Sequence, residues 1–229
     1  MQPEVEYMKG GVTMDEKEFY SGVYRLVQDK GLSGWYVAQS HEMLERGFNN
    51  LVNSRILEVG GNVGEHIPYV KAGYSEYKLT DYRDTGFSTD NPLITFEIQD
   101  VHQLSFPPRS FDRVIATCLL HHLDNPYAAL QEIRRVARSA AVISILIPCD
   151  PGLMYRLAKK LGPNRSWKKH GITNPDFFHW TQHKNHYPGL NAAIHEAFKA
   201  DDIKKSYWPF KFNSWNLNLF AVYQIRKIE

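Results

Sequence analysis

The sequence has 229 residues, a length typical of one domain, and its hydrophobic fraction of 43% excludes a mainly disordered chain. The 27 Lys and Arg residues nearly balance the 25 Asp and Glu residues, so the net charge of +2 lacks the basic excess typical of nucleic-acid-binding proteins. The two cysteines are too few for a disulfide scaffold and favour a reduced, cytoplasmic protein. Residues 1–11 have no apolar leader and no long uncharged apolar stretch follows, so we expect a protein that neither spans nor binds a membrane.

Apolar residues at helical spacing from Asp15 to about Val52 predict N-terminal helices, separated by a glycine-containing linker at residues 31–36. Farther along, Asn125 and Pro126 have the residue types of a helix N-cap and first helical position. Short apolar runs alternate with helical segments between residues 55 and 147, which predicts a doubly wound α/β sheet. The predicted strands are 55–59, 76–80, 93–99, 111–117 and 140–147, and the predicted helices are 64–71 and the segment from Pro126.

Residues 150–200 interrupt this alternation with a segment rich in Lys, Arg, His and aromatic residues. Such an insertion is a natural place for a cap over a substrate. Two further strands are predicted at 203–212 and 217–228. We therefore expect a single domain made of an N-terminal helical lid (1–53), a core (54–149), a substrate cap (150–200) and a final strand pair (201–229).

The strongest motif is the glycine-rich stretch from Glu58 to Gly64, EVGGNVG, at a predicted strand-to-helix turn. Glycines there let the backbone approach a ligand, and a helix N-terminus offers free N–H groups. A dinucleotide fingerprint needs glycine at the third and sixth positions, but the motif has Asn62 and Glu65 there. A carboxylate at the end of the next strand, Asp81, can accept both hydroxyls of a ribose, and Asp100 after the following strand could meet an adenine edge.

An acidic residue just before a G-x-G-x-G turn resembles the class I S-adenosylmethionine-dependent methyltransferases, and the resemblance covers residues 55–148. It implies a Rossmann-like sheet of seven strands with a C-terminal antiparallel pair, a cofactor-binding core and S-adenosylmethionine as the cofactor. Asn62 replaces the family's middle glycine, and we expect it to adopt left-handed backbone geometry. The cofactor-binding residues implied by the resemblance are Glu58, Gly60, Gly61, Asn62, Gly64, Asp81, Asp100, Val101 and Thr117.

A narrower resemblance concerns three short motifs at residues 64–66, 77–81 and 147–152. They are similar to small methyltransferases associated with bacterial surface-polysaccharide biosynthesis, which implies O-methylation of a sugar or sugar-linked metabolite. The alternative is a catalytically inactive binding protein with the methyltransferase fold, which Asn62 keeps open. A nicotinamide-dependent oxidoreductase is a third interpretation, disfavoured by Glu65 at the sixth position of the fingerprint.

Histidines supply the candidate catalytic groups. His121 and His122 follow the predicted fourth strand, where the resemblance places residues near the transferred methyl group, although either could instead pack against the next helix. His179, His183 and His186 have i, i+4, i+7 spacing, which predicts one helix face that contacts substrate or is simply solvated. With no partner acid identifiable, we expect no metal. The predicted catalytic residues are His121, His122 and His183, and the predicted substrate-binding residues are Trp35, Tyr36, His41, His179 and His183, with core packing an alternative for Trp35.

Overall fold

The structure is a computed structural model that describes residues 7–9, 12–14, 31–48, 51–169, 172 and 174–229. Its strands are β1 (Tyr7–Lys9), β2 (Val12–Met14), β3 (Ser54–Val59), β4 (Tyr74–Asp81), β5 (Ile94–Ile98), β6 (Phe111–Thr117), β7 (Ala137–Pro148), β8 (Asp202–Trp208) and β9 (Phe220–Arg226). The α-helices are α1 (Gly31–Leu44), α2 (Pro126–Val136), α3 (Leu153–Leu161), α4 (Pro163–Lys169), α5 (Pro175–Gln182) and α6 (Tyr187–Ala197). Among these residues, no helix is long and apolar enough to cross a bilayer.

Seven strands form one sheet in the order β5-β4-β3-β6-β7-β9-β8. Strands β3 to β7 run parallel, and β9 pairs antiparallel with both β7 and β8. Helices α2 and α6 pack on one face of the sheet, whereas α1 and α3 pack on the other. The predicted doubly wound α/β sheet with a C-terminal antiparallel pair is confirmed.

Local sequence signals explain the elements that were correctly predicted. From Ile143 to Pro148, strand β7 is buried on both faces because it lies in the sheet interior, and the strand extends the predicted run to Ala137–Pro148. The side chain of Asn125 caps helix α2 by accepting a hydrogen bond from the N–H of Ala128 at 3.1 Å, and Pro126 stands in the first turn.

Four local predictions were wrong. The helical structure predicted to about Val52 ends at Leu44, and residues 45–47 form a turn. Residues 64–71 form turns and a short 3₁₀ helix at Ile67–Tyr69 rather than an α-helix, because Gly64 has a left-handed φ of 79° and Pro68 lacks an N–H. The predicted linker at 31–36 belongs to α1, where packing of Tyr36 outweighs the poor helix propensity of glycine. Strand β8 ends at Trp208 instead of continuing to 212, since Pro209 cannot donate a ladder hydrogen bond. The first part of the predicted N-terminal helical region, residues 15–30, lies outside the described residues.

A buried ion pair fastens the end of α1 to the sheet. Glu45, just after α1, accepts hydrogen bonds from Arg113 of β6 at 2.5 and 2.9 Å, and both side chains are fully buried. The same carboxylate accepts hydrogen bonds from His66 Nε2 at 2.8 Å and from the backbone N–H of Lys71 at 3.0 Å. The guanidinium of Arg113 also lies 3.9 Å from the ring centre of Phe48. Each charge is therefore compensated within the core.

Candidate active site

A cavity of about 990 Å³ opens beyond the carboxyl ends of the parallel strands, the usual place for ligands in open α/β sheets. Its wall includes residues from the ends of four strands and from helices α1 and α3 to α5. Predicted residues on this wall are Gly60, Asn62, Asp81, Asp100, Val101, Thr117, His121, His122, Tyr36, His41, His179 and His183. The cavity is large enough for a nucleoside-sized ligand together with a second small molecule.

The glycine loop after β3 is constrained by packing as well as by backbone geometry. A Cβ atom on Gly60 would lie 2.5 Å from Leu119 Cδ1, and one on Gly61 would lie 2.2 Å from Leu79 Cδ1. Asn62 has a φ of 47°, so the predicted left-handed geometry is present. Its side-chain Nδ2 donates to Glu65 Oε1 at 3.0 Å, which helps an L-residue hold this conformation.

Asp81 ends β4 with its carboxylate beside this loop. Oδ2 accepts a hydrogen bond from the N–H of Asn62 at 3.0 Å, whereas Oδ1 is buried without a partner among the described residues. Burial raises the pKa of the carboxyl, although Arg83 and the Asn62 N–H oppose the increase. An orphaned buried acceptor on the cavity wall is suited to the hydroxyl donors of a ribose. The site thus fits a nucleoside cofactor.

The other predicted cofactor residues differ in whether they reach the cavity wall. Glu58 is fully buried beneath the loop, where its Oε2 accepts a hydrogen bond from the Tyr77 hydroxyl at 2.6 Å. Burial raises the pKa of the Glu58 carboxyl. Glu58, Gly61 and Gly64 do not reach the cavity wall, so a direct cofactor contact by Glu58 stays a prediction. Asp100 is on the wall and holds His102 through the backbone N–H at 2.9 Å and ring Nδ1 at 2.7 Å.

On the same cavity wall, the structure brings His121, His122, His179 and His183 together, and the Asp150 carboxylate contacts two of them. Asp150, just after β7, has its Oδ2 3.1 Å from His179 Nε2 and 3.0 Å from His183 Nδ1. The ring of His183 lies 4.2 Å from that of His121, centre to centre, and His121 lies 4.0 Å from His122. Sequence reasoning missed Asp150, although its position directly after a central strand is a signal for a site residue.

The predicted shared helix face for the cap histidines was only partly correct. Helix α5 ends at Gln182, so His179 lies in its last turn, His183 is its C-cap and His186 precedes α6. Asp150 rather than a continuous helix gathers them, and His186 Nδ1 lies 3.5 Å from the same carboxylate oxygen.

Burial controls the protonation of this cluster. It lowers the pKa of His183 to about 3 despite the opposing hydrogen bond to Asp150, and it lowers the pKa of His122 to about 4. The pKa of His121 also falls well below its usual value, first because of burial and then because of the neighbouring histidines. For Asp150, burial acts to raise the pKa, but hydrogen bonds from His179 and His183 hold it well below the usual range. At neutral pH Asp150 is therefore a carboxylate, and His121, His122 and His183 are neutral imidazoles.

Hydrogen bonds fix which nitrogen of His122 is available. Its Nδ1 donates to the backbone oxygen of Gln182 at 2.8 Å, so in the neutral ring Nε2 carries the free lone pair. His121 differs because its Nδ1 is buried and has no partner among the described residues. Of these two histidines, His122 is thus the better-prepared proton acceptor.

The N-terminal candidates separate into two groups. Tyr36 and His41 lie on the cavity wall, and His41 Nδ1 is 2.9 Å from His66 Nδ1. Trp35 is 55% exposed, lies outside the cavity wall and makes an edge contact with Trp208 at 5.5 Å between ring centres. The structure therefore brings Tyr36 and His41, but not Trp35, to the site.

Known proteins share this fold. A family model described as a methyltransferase domain matches residues 57–145. A structure of phosphoethanolamine N-methyltransferase 2 from Haemonchus contortus with S-adenosyl-L-methionine has a TM-score of 0.63 at 13% identity, covering 96% of this chain and 61% of that one. The complex between the Haloferax volcanii Trm112 methyltransferase activator and the putative methyltransferase gives a TM-score of 0.60 at 13% identity, covering 93% and 97% of the two chains.

A third similar structure, the [4+2]-cyclase SpnF, has a TM-score of 0.61 at 12% identity and covers 92% of this chain and 93% of its own. None of the curated proteins matches the sequence significantly. Because the sequence identities are low, the structural similarities are evidence for the fold alone. The family match covers the parallel strands, the glycine loop, Asp81 and Asp100. Residues 57–145 therefore match a methyltransferase domain, and this match supports S-adenosylmethionine as the cofactor.

Proposed function

We propose that this protein is a cytoplasmic O-methyltransferase whose acceptor is a hydroxyl of a small polar molecule, such as a sugar or a sugar-linked metabolite. The observation that carries the proposal is that His121, His122 and His183, whose pKa values are lowered by burial, line the same cavity as Asp81 and the glycine loop. A hydroxyl is a weak nucleophile at neutral pH and benefits from a proton acceptor, whereas an amine is nucleophilic once it is neutral.

Each group of residues has a distinct task in this proposal. When bound, S-adenosylmethionine supplies an electrophilic methyl group; the bond from methyl carbon to sulfur breaks as the acceptor oxygen bonds to that carbon, and a neutral thioether remains. Asp81 and the loop at Gly60 and Asn62 orient the nucleoside. His122 Nε2 accepts the proton of the acceptor hydroxyl, while its Nδ1 stays hydrogen-bonded to the Gln182 carbonyl. Positioning supplies much of the acceleration because the methyl donor is intrinsically reactive.

The acceptor side of the cavity is suited to a polar ring. Within the predicted cap at 150–200, α3 provides Tyr155 and α5 provides Phe178 and His179 to the wall, whereas α1 provides Tyr36 and His41. Aromatic faces next to hydrogen-bonding edges match the alternating apolar and hydroxylated surfaces of a sugar. A role in surface-polysaccharide biosynthesis and the division into lid, core, cap and strand pair belong to the same proposal.

The inactive-binding-protein alternative loses its main sequence argument in this structure. It depended on Asn62 at a glycine position, but Asn62 has the left-handed φ that the position requires. The similarity to the [4+2]-cyclase SpnF favours a different possibility, a non-methylating reaction on this fold. Product mass distinguishes the two reactions, because methyl transfer adds one labelled methyl group and a cyclisation adds none.

The test is methyl transfer from isotope-labelled cofactor to fractionated sugars, nucleotide sugars and matched amines, read by mass spectrometry. His122→Gln should reduce kcat by about 10²- to 10⁴-fold, the usual contribution of a general base, with little change in cofactor affinity. The control is His195→Gln, because His195 is exposed on α6 away from the cavity. Label appearing only on amine or carbon acceptors would refute O-methylation. A kcat loss in His183→Gln but not in His122→Gln would transfer the base role to His183.

A further inference from the structure

We infer that Asp150, His179 and His183 bind one divalent transition-metal ion, with zinc the representative case, on the acceptor side of the cavity. The inference concerns a site separate from the glycine loop and does not depend on the proposed methyl acceptor. One oxygen and two imidazole nitrogens, all within 4.8 Å of one another, form the ligand set.

The spacing between Asp150 and each imidazole is close to that of a metal's coordination sphere. Asp150 Oδ2 lies 3.1 Å from His179 Nε2 and 3.0 Å from His183 Nδ1. Ligands about 2.0–2.1 Å from a zinc ion lie about 3.3–3.4 Å apart in a tetrahedron, so these two distances need to change by only a few tenths of an ångström. The ligand nitrogens of His179 and His183 lie within 4.8 Å of each other. The ligand types, two imidazoles and one carboxylate, are those of metal sites that keep open coordination positions.

The ligands are held by separate elements before any ion arrives. Asp150 follows the buried strand β7, while His179 and His183 are four residues apart at the end of α5. That spacing places two imidazoles on one side of a helix end, as in other histidine pairs that share a metal. The Asp150 side chain is 7% exposed, His183 10% and His179 19%, so the site is shielded but still reachable from the cavity.

Proton positions allow the exchange of hydrogen bonds for metal bonds. Without an ion, both imidazoles donate to Asp150; on metal binding, the donating nitrogen becomes the ligand atom and its proton moves to the other ring nitrogen. His183 Nε2 then carries a hydrogen and cannot act as a base, which agrees with the assignment of that role to His122.

A second observation points to a missing ligand beside this cluster. The Nδ1 atom of His121 is buried without a partner among the described residues, and the His121 ring is 4.2 Å from that of His183. His121 is only 3% exposed. A buried, unsatisfied imidazole nitrogen is costly, and a metal-bound water next to His183 would satisfy it. Open positions on the ion would face the cavity and could hold an oxygen of the acceptor.

The test uses the full-length protein, stripped with a chelator and titrated with Co²⁺ by visible absorption and with Zn²⁺ by calorimetry. We expect one ion per chain and ligand-field absorption bands that disappear when excess Zn²⁺ is added. Asp150→Asn, His179→Gln and His183→Gln should each weaken binding by at least about tenfold, whereas the control His195→Gln should not.

Folding and the cofactor site are measured separately. Each variant is checked by circular dichroism and by calorimetric titration with S-adenosylhomocysteine, which should bind metal-free protein and metal-loaded protein alike. If a folded protein binds Co²⁺ but not S-adenosylhomocysteine, the result counts against the cofactor site and leaves the metal inference standing. The inference is overturned if the stripped protein binds neither ion at about 100 µM, the range of weak protein sites. It is also overturned if folded variants of all three ligands bind as tightly as His195→Gln.

Discussion

Replacement of Asp81 by Asn gives a direct test of the cofactor site. The substitution preserves the side-chain shape, and the remaining carbonyl oxygen can still accept the N–H of Asn62, the contact that measures 3.0 Å. It removes the negative charge and replaces one acceptor by a donor on a residue that is 6% exposed. The change therefore acts on the atom offered to the ribose while keeping the loop in place.

The expected loss follows from the strength of hydrogen bonds to charged groups. Such a bond contributes about 1.5–3 kcal/mol, so the Kd for S-adenosylhomocysteine should rise about 10- to 150-fold. Asp81→Ala should weaken binding further, because it also leaves the Asn62 N–H without its acceptor.

Isothermal titration calorimetry measures both affinities, with thermal unfolding as the check on folding. The matched control is Asp90→Asn, which removes an exposed carboxylate outside the cavity wall and should leave the Kd within about twofold. If Asp81→Asn, properly folded, binds S-adenosylhomocysteine as tightly as the control does, the ribose assignment is wrong.

Two further predictions concern the loop and the buried network. Asn62→Gly should keep cofactor affinity, because relief of left-handed strain offsets loss of the 3.0 Å bond to Glu65, whereas Asn62→Val should weaken it measurably in the same titration. Burial, reinforced by His66, lowers the pKa of His41 to about 3, and hydrogen bonds from His66 and Arg113 outweigh burial and lower the pKa of Glu45 to about 2. As the pH falls, the unfolded chain therefore binds protons before the folded chain does, at His41 below about pH 6.5 and at Glu45 below about pH 4.5. The free energy of unfolding measured in urea should therefore decrease with acidification through both ranges. His41→Gln should flatten the upper part of that dependence, and an unchanged slope between pH 6.5 and 4.5 would contradict the argument.

The sheet was predictable because its signals are local. A central parallel strand is covered on both faces, so its residues must be apolar, and β6 was predicted with the bounds Phe111–Thr117 that it has. The cap of α2 was predictable for the same reason, because the Asn125 side chain needs only the backbone N–H of Ala128, three residues later. Asn62 was predictable because few L-residues tolerate a left-handed φ.

The site was less predictable because its contacts span long stretches of chain. His179 and His183 meet a carboxylate 29 and 33 residues earlier, and no local pattern specifies where the end of α5 docks against β7. The linker prediction at 31–36 failed because tertiary packing of α1 overrides glycine propensity. Trp35 and Tyr36 illustrate the limit: adjacent residues on one helix point to different surroundings, and only Tyr36 reaches the cavity.

The Glu45–Arg113 pair has a consequence for sequence variation. The two residues lie 68 positions apart, and removal of one alone would leave an uncompensated charge in the core at a cost of about 3–5 kcal/mol. That cost is a large fraction of the roughly 5–15 kcal/mol that keeps an average domain folded. Joint replacement by apolar residues of similar volume is much better tolerated. The two positions should therefore change together among related sequences, and a natural variant that lacks only one charge should carry a compensating change near Phe48 or His66.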